Sequence, residues 1–218
     1  MSPAGTPDLA LREEIIAVAQ AMDRAGFAPS KSGNVSARLS DSFLITPSGL
    51  PYARTTPADL VHLGFDGQPL SSGKPSSEWR FHAAIYASRP DAKALVHTHS
   101  PRATSFSATR RAIPAFHYMI ALAGGSTIPC ASYATFGTQA LADNAVKALD
   151  GRKAVLLANH GVIAIGGSLA GAWTLAQEVE NLAGQYLDLL ASGLEPVILD
   201  DAEMARVIEG FSGYGKVM

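Results

Sequence analysis

The sequence predicts an α/β layered fold, because segments with helical spacing of apolar residues are mixed with short apolar strands. The clearest helix covers about residues 169–191, and the clearest strands cover residues 153–158 and 162–165. No internal repeat and no low-complexity linker divides the 218 residues. We therefore expect a single domain of residues 1–218.

The remaining elements follow from periodicity and from the residues that end helices and strands. A helix that ends at Gly26 is predicted first, and a helix that ends before Pro90 follows later. In chain order, the predicted elements are a helix over residues 9–25, strands over 34–38 and 42–46, a helix over 78–88, a strand over 92–99, a helical stretch from 101, a partly buried segment over 113–123 and, after the long helix, a short helix over 202–208.

Composition excludes several classes of partner. The net charge is −2 and no Lys/Arg cluster is present, so we expect no nucleic-acid partner. No segment approaches the ~20 apolar residues of a membrane helix, and the beginning of the sequence has no signal-peptide pattern. The lone Cys130 fits a small buried residue in a reducing compartment, and we expect a cytoplasmic protein.

Three histidines indicate a metal site. His97 and His99 alternate at the end of an apolar strand, so both imidazoles can face the same side. His160 lies in a turn between two apolar strands. If the three meet, they can occupy three positions of a tetrahedral Zn²⁺ site and leave the fourth open.

A carboxylate and several neutral donors lie at turns and helix starts. Glu78 follows Ser76 and Ser77 at a predicted helix start, where an ordinary helix cap is the alternative. His82 shares a helix face with Glu78 and is predicted to be structural. Hydroxyl, amide and backbone groups suited to cradle a phosphate, with ordinary turn chemistry as the alternative, are supplied by Asn34, Ser48, Gly49, Ser76 and Ser77.

Five motifs resemble the class II aldolase/adducin family, and they occur in the family order. They are Gly33-Asn34-Val35-Ser36, Thr46-Pro47-Ser48-Gly49, residues 76–82 (SSEWRFH), His97-Thr98-His99 and Asn159-His160-Gly161. The resemblance extends over nearly the whole chain. Within the family, residues 113–120 and 133–138 most resemble the members that act on L-fuculose 1-phosphate.

The resemblance implies a fold, an assembly and a site. The fold is a three-layer α/β/α sandwich with a central, mostly antiparallel sheet, and the assembly is a homotetramer with active sites at subunit interfaces. One Zn²⁺ per subunit, with Mn²⁺ or Co²⁺ as alternatives, would be bound by His97, His99 and His160. The phosphate of the substrate would contact Asn34, Ser48, Gly49, Ser76 and Ser77.

The implied reaction is reversible cleavage of a ketose 1-phosphate to dihydroxyacetone phosphate and an aldehyde, through an enediolate stabilised by Zn²⁺. Glu78 would be the base and Tyr118 would assist proton transfer at the aldehyde oxygen. Tyr214 would reach a neighbouring subunit's site, and Phe136 would line the aldehyde pocket.

Alternatives remain within the family. One is an aldolase for a 5-deoxypentulose or methylthio-pentulose 1-phosphate, and Lys31, where a small hydroxyl residue is expected, puts the exact substrate in doubt. Another is ribulose-5-phosphate 4-epimerase, although Glu rather than Asp at position 78 favours the aldolase. The third is a non-catalytic, adducin-like assembly module, which has no need of the three histidines.

Overall fold

The protein is described by a computed structural model that covers residues 8–213. Its strands form a seven-stranded sheet. The strands are β1 Asn34–Arg38, β2 Ser42–Ile45, β3 Val61–Gly64, β4 Ala94–Thr98, β5 Cys130–Ala131, β6 Ala154–Leu157 and β7 Gly161–Gly166. Their order across the sheet is β3-β2-β1-β4-β7-β6-β5, so β4 and β7 lie near its centre.

Neighbouring strands are antiparallel throughout, except that β5 runs parallel to β6. The predicted mostly antiparallel sheet is therefore confirmed. Strands β1, β2, β4, β6 and β7 lie where the sequence predicts strands, whereas β3 and β5 were not predicted.

Six α-helices lie in the described part of the chain. They are α1 Leu9–Arg24, α2 Trp79–Ser88, α3 Pro101–Ser107, α4 Gln139–Ala148, α5 Leu169–Ser192 and α6 Asp201–Gly213. Of these, α4 was not predicted, and α6 extends beyond the predicted short helix. The apolar segment near residue 120 forms a 3₁₀ helix, Tyr118–Ala123.

The side chains of each central strand divide between two apolar cores. On β4, Ala94 and Val96 pack with α1, α3 and α5, whereas Leu95 packs with α2 and α4. On β7, Val162 belongs to the first core and Ile163 to the second. Helices thus lie on both faces, which confirms the predicted three-layer sandwich.

Two glycines allow close backbone approach at the end of the sheet where the predicted motifs gather. A Cβ on Gly161 would lie 2.3 Å from the carbonyl oxygen of Thr98, and a Cβ on Gly33 would lie 2.8 Å from that of His97. Any side chain at Gly161 would therefore push β7 away from β4.

Among residues 8–213, no helix is long and apolar enough to cross a membrane.

Candidate metal centre and active site

Four side chains converge at the end of β4 and form a compact cluster of metal-ligand atoms. The ligand atoms of Glu78, His97, His99 and His160 all lie within 4.8 Å of one another. His97 lies on β4 and His99 just beyond it, whereas His160 lies in the tight turn between β6 and β7. The structure therefore brings together the three histidines that the sequence predicts as ligands.

The ring of His97 is oriented by the neighbouring strand. Its Nδ1 lies 2.8 Å from the carbonyl oxygen of Val162, which can only accept, so Nδ1 carries the proton and donates. The other ring nitrogen, Nε2, faces the cluster, 3.0 Å from Nε2 of His99 and 2.9 Å from Oε2 of Glu78. A backbone carbonyl that fixes the tautomer in this way is typical of metal-binding histidines.

The donor set suits a divalent cation. Oε1 of Glu78 is buried and lies 3.1 Å from Nε2 of His160, yet it is outside hydrogen-bond geometry and has no hydrogen-bond partner. A buried carboxylate oxygen without a partner is costly, and a cation among three imidazole nitrogens would neutralise it. Three imidazoles and a carboxylate are ligands that Zn²⁺ accepts.

Burial and neighbouring charge compete at Glu78. Burial acts to raise its pKa, but the close imidazoles of His97 and His160 lower it more, so the pKa lies below its ordinary value. Burial, and to a smaller extent the nearby rings of His97 and His160, lowers the pKa of His99 to about 3. Glu78 is therefore a carboxylate and His99 a neutral imidazole at neutral pH.

Glu78 occupies the residue before α2, but its side chain makes no capping hydrogen bond to that helix. Instead, its backbone N–H donates to Oγ of Ser76 at 3.4 Å, and its carboxylate turns toward the histidines. The ordinary-cap interpretation of Glu78 therefore does not account for where the carboxylate lies.

The residues predicted to hold phosphate come from segments that meet beside the cluster. The amide of Ser76 donates to the carbonyl of Thr46 at 3.1 Å, and that of Ser48 donates to Lys74 at 2.9 Å. These bonds hold the Thr46–Gly49 turn against the segment before α2. Ser48 and Ser76 therefore have hydroxyls, but not amides, to offer a phosphate, whereas Ser77 and Gly49 are exposed.

Asn34 differs from the other predicted phosphate residues. It is buried, its Nδ2 donates to Oε2 of Glu78 at 3.1 Å, and its Oδ1 lies 2.5 Å from Nε2 of His82. One amide hydrogen is thus engaged by the carboxylate. The sequence pointed to Asn34 through its motif but not to this contact.

A cleft of about 300 Å³ opens over the cluster. It is lined by Ser32, Ser77, Glu78, His99, Tyr133, Ala134, Phe136, Asn159 and His160. Phe136, predicted to line an aldehyde pocket, is 67% exposed in this wall. Tyr133 and Asn159 were not predicted as site residues, although both lie in motifs that the sequence singles out. Lys31 is exposed, one residue from Ser32.

Tyr118 lies elsewhere on the surface. It is 50% exposed, stacks on Phe211, and lines a separate cleft with Met119, Val207 and Ile208. The structure therefore does not bring Tyr118 to the histidine cluster of its own chain. The predicted Tyr214 lies outside the described residues.

Comparison with known proteins agrees with this geometry. Residues 13–187 match the family model described as the class II aldolase and adducin N-terminal domain. The chain is 48% identical over 205 residues to L-fuculose phosphate aldolase of Escherichia coli K12, which covers 94% of this chain and 95% of that protein. It is 49% identical over 207 residues to 5-methylthioribulose-1-phosphate/5-deoxyribulose-1-phosphate aldolase of Rhodospirillum rubrum. That alignment covers 95% of this chain and 93% of the Rhodospirillum protein.

Solved structures give the same result. A structure of L-fuculose 1-phosphate aldolase superposes with a TM-score of 0.91 at 36% identity, covering 96% of this chain and 99% of that one. The family match, the two sets of relatives and the shared fold point in one direction. The chain belongs to the class II aldolase and adducin family and, within it, to the aldolases, which are lyases.

Proposed function

We propose that this enzyme reversibly cleaves a ketose 1-phosphate, of the L-fuculose 1-phosphate type, to dihydroxyacetone phosphate and an aldehyde. The observation that carries the proposal is the convergence of four ligand atoms within 4.8 Å at the base of an open cleft. Retention of all four side chains argues against a non-catalytic assembly module, which needs none of them.

Zn²⁺ is the metal that we propose, with Mn²⁺ or Co²⁺ as substitutes, bound by His97, His99 and His160. A cation held there would supply Lewis-acid stabilisation of negative charge on the substrate's carbonyl and hydroxyl oxygens. The unpartnered Oε1 of Glu78 and the convergent Nε2 atoms support this assignment.

Glu78 is the base that we propose for carbon–carbon bond formation. Its pKa is lowered, so it is ionised at neutral pH and can accept the proton from the carbon next to the ketone of dihydroxyacetone phosphate. In the cleavage direction, the protonated carboxyl group returns that proton to the same carbon. Its position in the lining of the cleft, beside the metal ligands, supports this role.

The phosphate would lie where the Thr46–Gly49 turn meets the start of α2. There, Ser48, Ser76 and Ser77 offer hydroxyls, Gly49 offers a backbone amide, and Asn34 has a second amide hydrogen. The N-terminus of α2 adds a positive field for the anion. Together these five residues form the phosphate site of the proposal.

Tyr118 protonates the aldehyde oxygen in our proposal, and it would do so in the site of a neighbouring subunit. Its distance from the cleft of its own chain supports a homotetramer with active sites at subunit interfaces, to which Tyr214 would also contribute. Residues 1–218 would act as a single domain. A cytoplasmic location is part of the proposal, since a chain with one cysteine suits a reducing compartment.

A second candidate substrate is a 5-deoxypentulose or 5-methylthiopentulose 1-phosphate. The wall of the cleft that is formed by Tyr133, Ala134 and Phe136 is largely apolar, which suits an aldehyde with a methyl or methylthio end. The Rhodospirillum relative, named for such substrates, is as similar to this chain as the fuculose enzymes are.

The test is a panel of cleavage assays on chelator-treated protein, with and without added Zn²⁺. L-Fuculose 1-phosphate, 5-deoxyribulose 1-phosphate and 5-methylthioribulose 1-phosphate are compared by the release of dihydroxyacetone phosphate. We expect zinc-dependent release from at least one of them, and the ratio of kcat/KM values identifies the substrate. Release from none, together with epimerisation of ribulose 5-phosphate, would overturn the aldolase proposal in favour of the epimerase.

A further inference from the structure

A chain of buried hydrogen bonds leads away from Glu78 between the sheet and α2. Glu78 contacts Asn34 at 3.1 Å, Asn34 contacts His82 at 2.5 Å, and His82 contacts Oγ of Ser36 at 2.6 Å. Ser36 in turn lies 2.7 Å from the hydroxyl of Tyr86. Ser36 and His82 are fully buried, and Asn34 is 2% exposed.

Two sequence periodicities bring these side chains together. Asn34 and Ser36 alternate on β1, so they point to the same face of the sheet. Glu78, His82 and Tyr86 recur every four residues and form one stripe along α2. The helix stripe therefore lies over the strand stripe, and each polar group finds its partner on the other element.

The carboxylate at one end fixes the direction of every hydrogen bond in the chain. Ionised Glu78 can only accept, so Asn34 must turn its NH₂ group to it and its Oδ1 to His82. His82 must then carry its proton on Nε2 in order to donate to Oδ1. Its bare Nδ1 accepts from the hydroxyl of Ser36, which accepts from Tyr86.

We propose that His82, as the neutral Nε2–H tautomer, is a positioning residue that locks the amide of Asn34 so that it donates to Glu78. The effect of His82 on catalysis rests on the proposed function, whereas its tautomer and its hydrogen bond to Asn34 do not. Without His82, the amide of Asn34 has no fixed orientation and can present its oxygen to the carboxylate, which repels Glu78 from its place beside His97 and His160. Burial lowers the pKa of His82 to about 3, which is consistent with a neutral ring.

The direct test is ¹⁵N NMR of the imidazole nitrogens in chelator-treated protein, where no activity is involved. The signals of His82 are assigned by their loss in His82→Gln. We expect a protonated Nε2 and an unprotonated Nδ1. A ring protonated on Nδ1, or on both nitrogens at neutral pH, would overturn the assignment even if the enzyme proves to be an aldolase.

The catalytic consequence is tested by a pair of substitutions at one position. His82→Leu removes the donor, whereas His82→Gln keeps an N–H near the position of Nε2. We expect His82→Leu to lower kcat about 10- to 100-fold with little change in KM and with bound zinc retained, and His82→Gln to recover most of the loss. If both variants match the wild type in kcat, the positioning role is wrong.

A control separates this effect from a loss of stability. Ile85 is a buried, apolar residue on α2 that packs in the core with α4, and Ile85→Val loosens the same helix without a polar change. We expect Ile85→Val to leave kcat unchanged. An equal loss of kcat in Ile85→Val would show that any softening of α2 disables the site, and would contradict a specific role for His82. Absence of cleavage by the wild type on every substrate would instead be a failure of the proposed function.

Discussion

At the residue scale, the candidate site depends on the ligand atoms of four side chains that lie within 4.8 Å of one another. The carbonyl of Val162 orients the ring of His97, whose Nε2 faces Nε2 of His99 and the buried carboxylate of Glu78. Sequence reasoning could find the three histidines, because each lies where an apolar strand ends. It could not find the contact between Asn34 and Glu78, which depends on how closely β1 lies beneath α2.

Replacement of Glu78 tests the base. Glu78→Gln keeps the size and position of the side chain but removes the negative charge that accepts the proton. We expect kcat to fall by about 10²-fold or more. Zinc should remain bound at the wild-type ratio, because the three histidines are unchanged, and this is checked by elemental analysis.

Glu13→Gln is the matched control for that experiment. Glu13 is an exposed carboxylate on α1, away from the cleft. Its loss should leave kcat and zinc content unchanged. Full turnover in Glu78→Gln would remove Glu78 from the mechanism.

The buried ring of His82 predicts a pH dependence of stability. Because its pKa is lowered to about 3 in the folded chain, the unfolded chain binds a proton that the folded chain does not as pH falls below about 6.5. The free energy of unfolding should therefore decrease as the pH is lowered in this range. This residue contributes a decrease of up to about 1.4 kcal/mol per pH unit.

Urea unfolding of chelator-treated protein at about pH 5 and about pH 6 measures this slope. His82→Gln cannot bind the proton when unfolded, so its stability should change less between the two pH values than that of the wild type. Identical changes in the two proteins would contradict a buried, neutral His82.

At the element scale, periodicity predicted those elements that are long or fully buried, such as α1, α5 and the central strands. It did not predict β3 or β5, because short strands at or near the edges of the sheet are held by pairing with a neighbour rather than by their own pattern. Helix α4 could have been predicted. Thr138 caps it, and Leu141 and Ala145 recur at helical spacing.

The tight turn between β6 and β7 should make both stability and zinc binding sensitive to substitution of Gly161. A methyl group there would lie 2.3 Å from the backbone oxygen of Thr98, which cannot rotate away. We expect Gly161→Ala to cost about 1–3 kcal/mol of unfolding free energy and to weaken zinc binding, because His160 would move with the turn.

Gly167→Ala is the control, since a Cβ at Gly167 meets nothing within 4 Å. Thermal unfolding and zinc titration should leave that variant close to the wild type. If Gly161→Ala behaves in the same way, the close approach of β7 to β4 does not position His160 as we describe.

At the scale of the whole molecule, Glu78 and Tyr118, two of the three predicted catalytic residues, lie in different clefts of the chain. Glu78 faces the histidines, whereas Tyr118 faces Phe211 and α6. The sequence could supply both residues through family motifs, but the separation between them is a property of the folded chain. Assembly of several chains is the means by which the two could meet.

Subunit complementation tests this arrangement. Glu78→Gln and Tyr118→Phe chains are each expected to be weakly active. If Tyr118 acts in a neighbour's site, unfolding and refolding the two variants together should create sites with both native residues and restore part of the activity. If both residues act within one chain, every site in the mixture carries a defect and no activity returns.

The central claim, that a bound metal at His97, His99 and His160 makes this chain an aldolase, is tested most directly by zinc titration of chelator-treated protein. Dihydroxyacetone phosphate release and bound zinc are measured on the same samples, for the wild type and for His99→Ala. The account predicts that activity rises with bound zinc, stops at one ion per chain, and is lost together with tight binding in His99→Ala. Full cleavage by wild-type protein that holds no metal would contradict it.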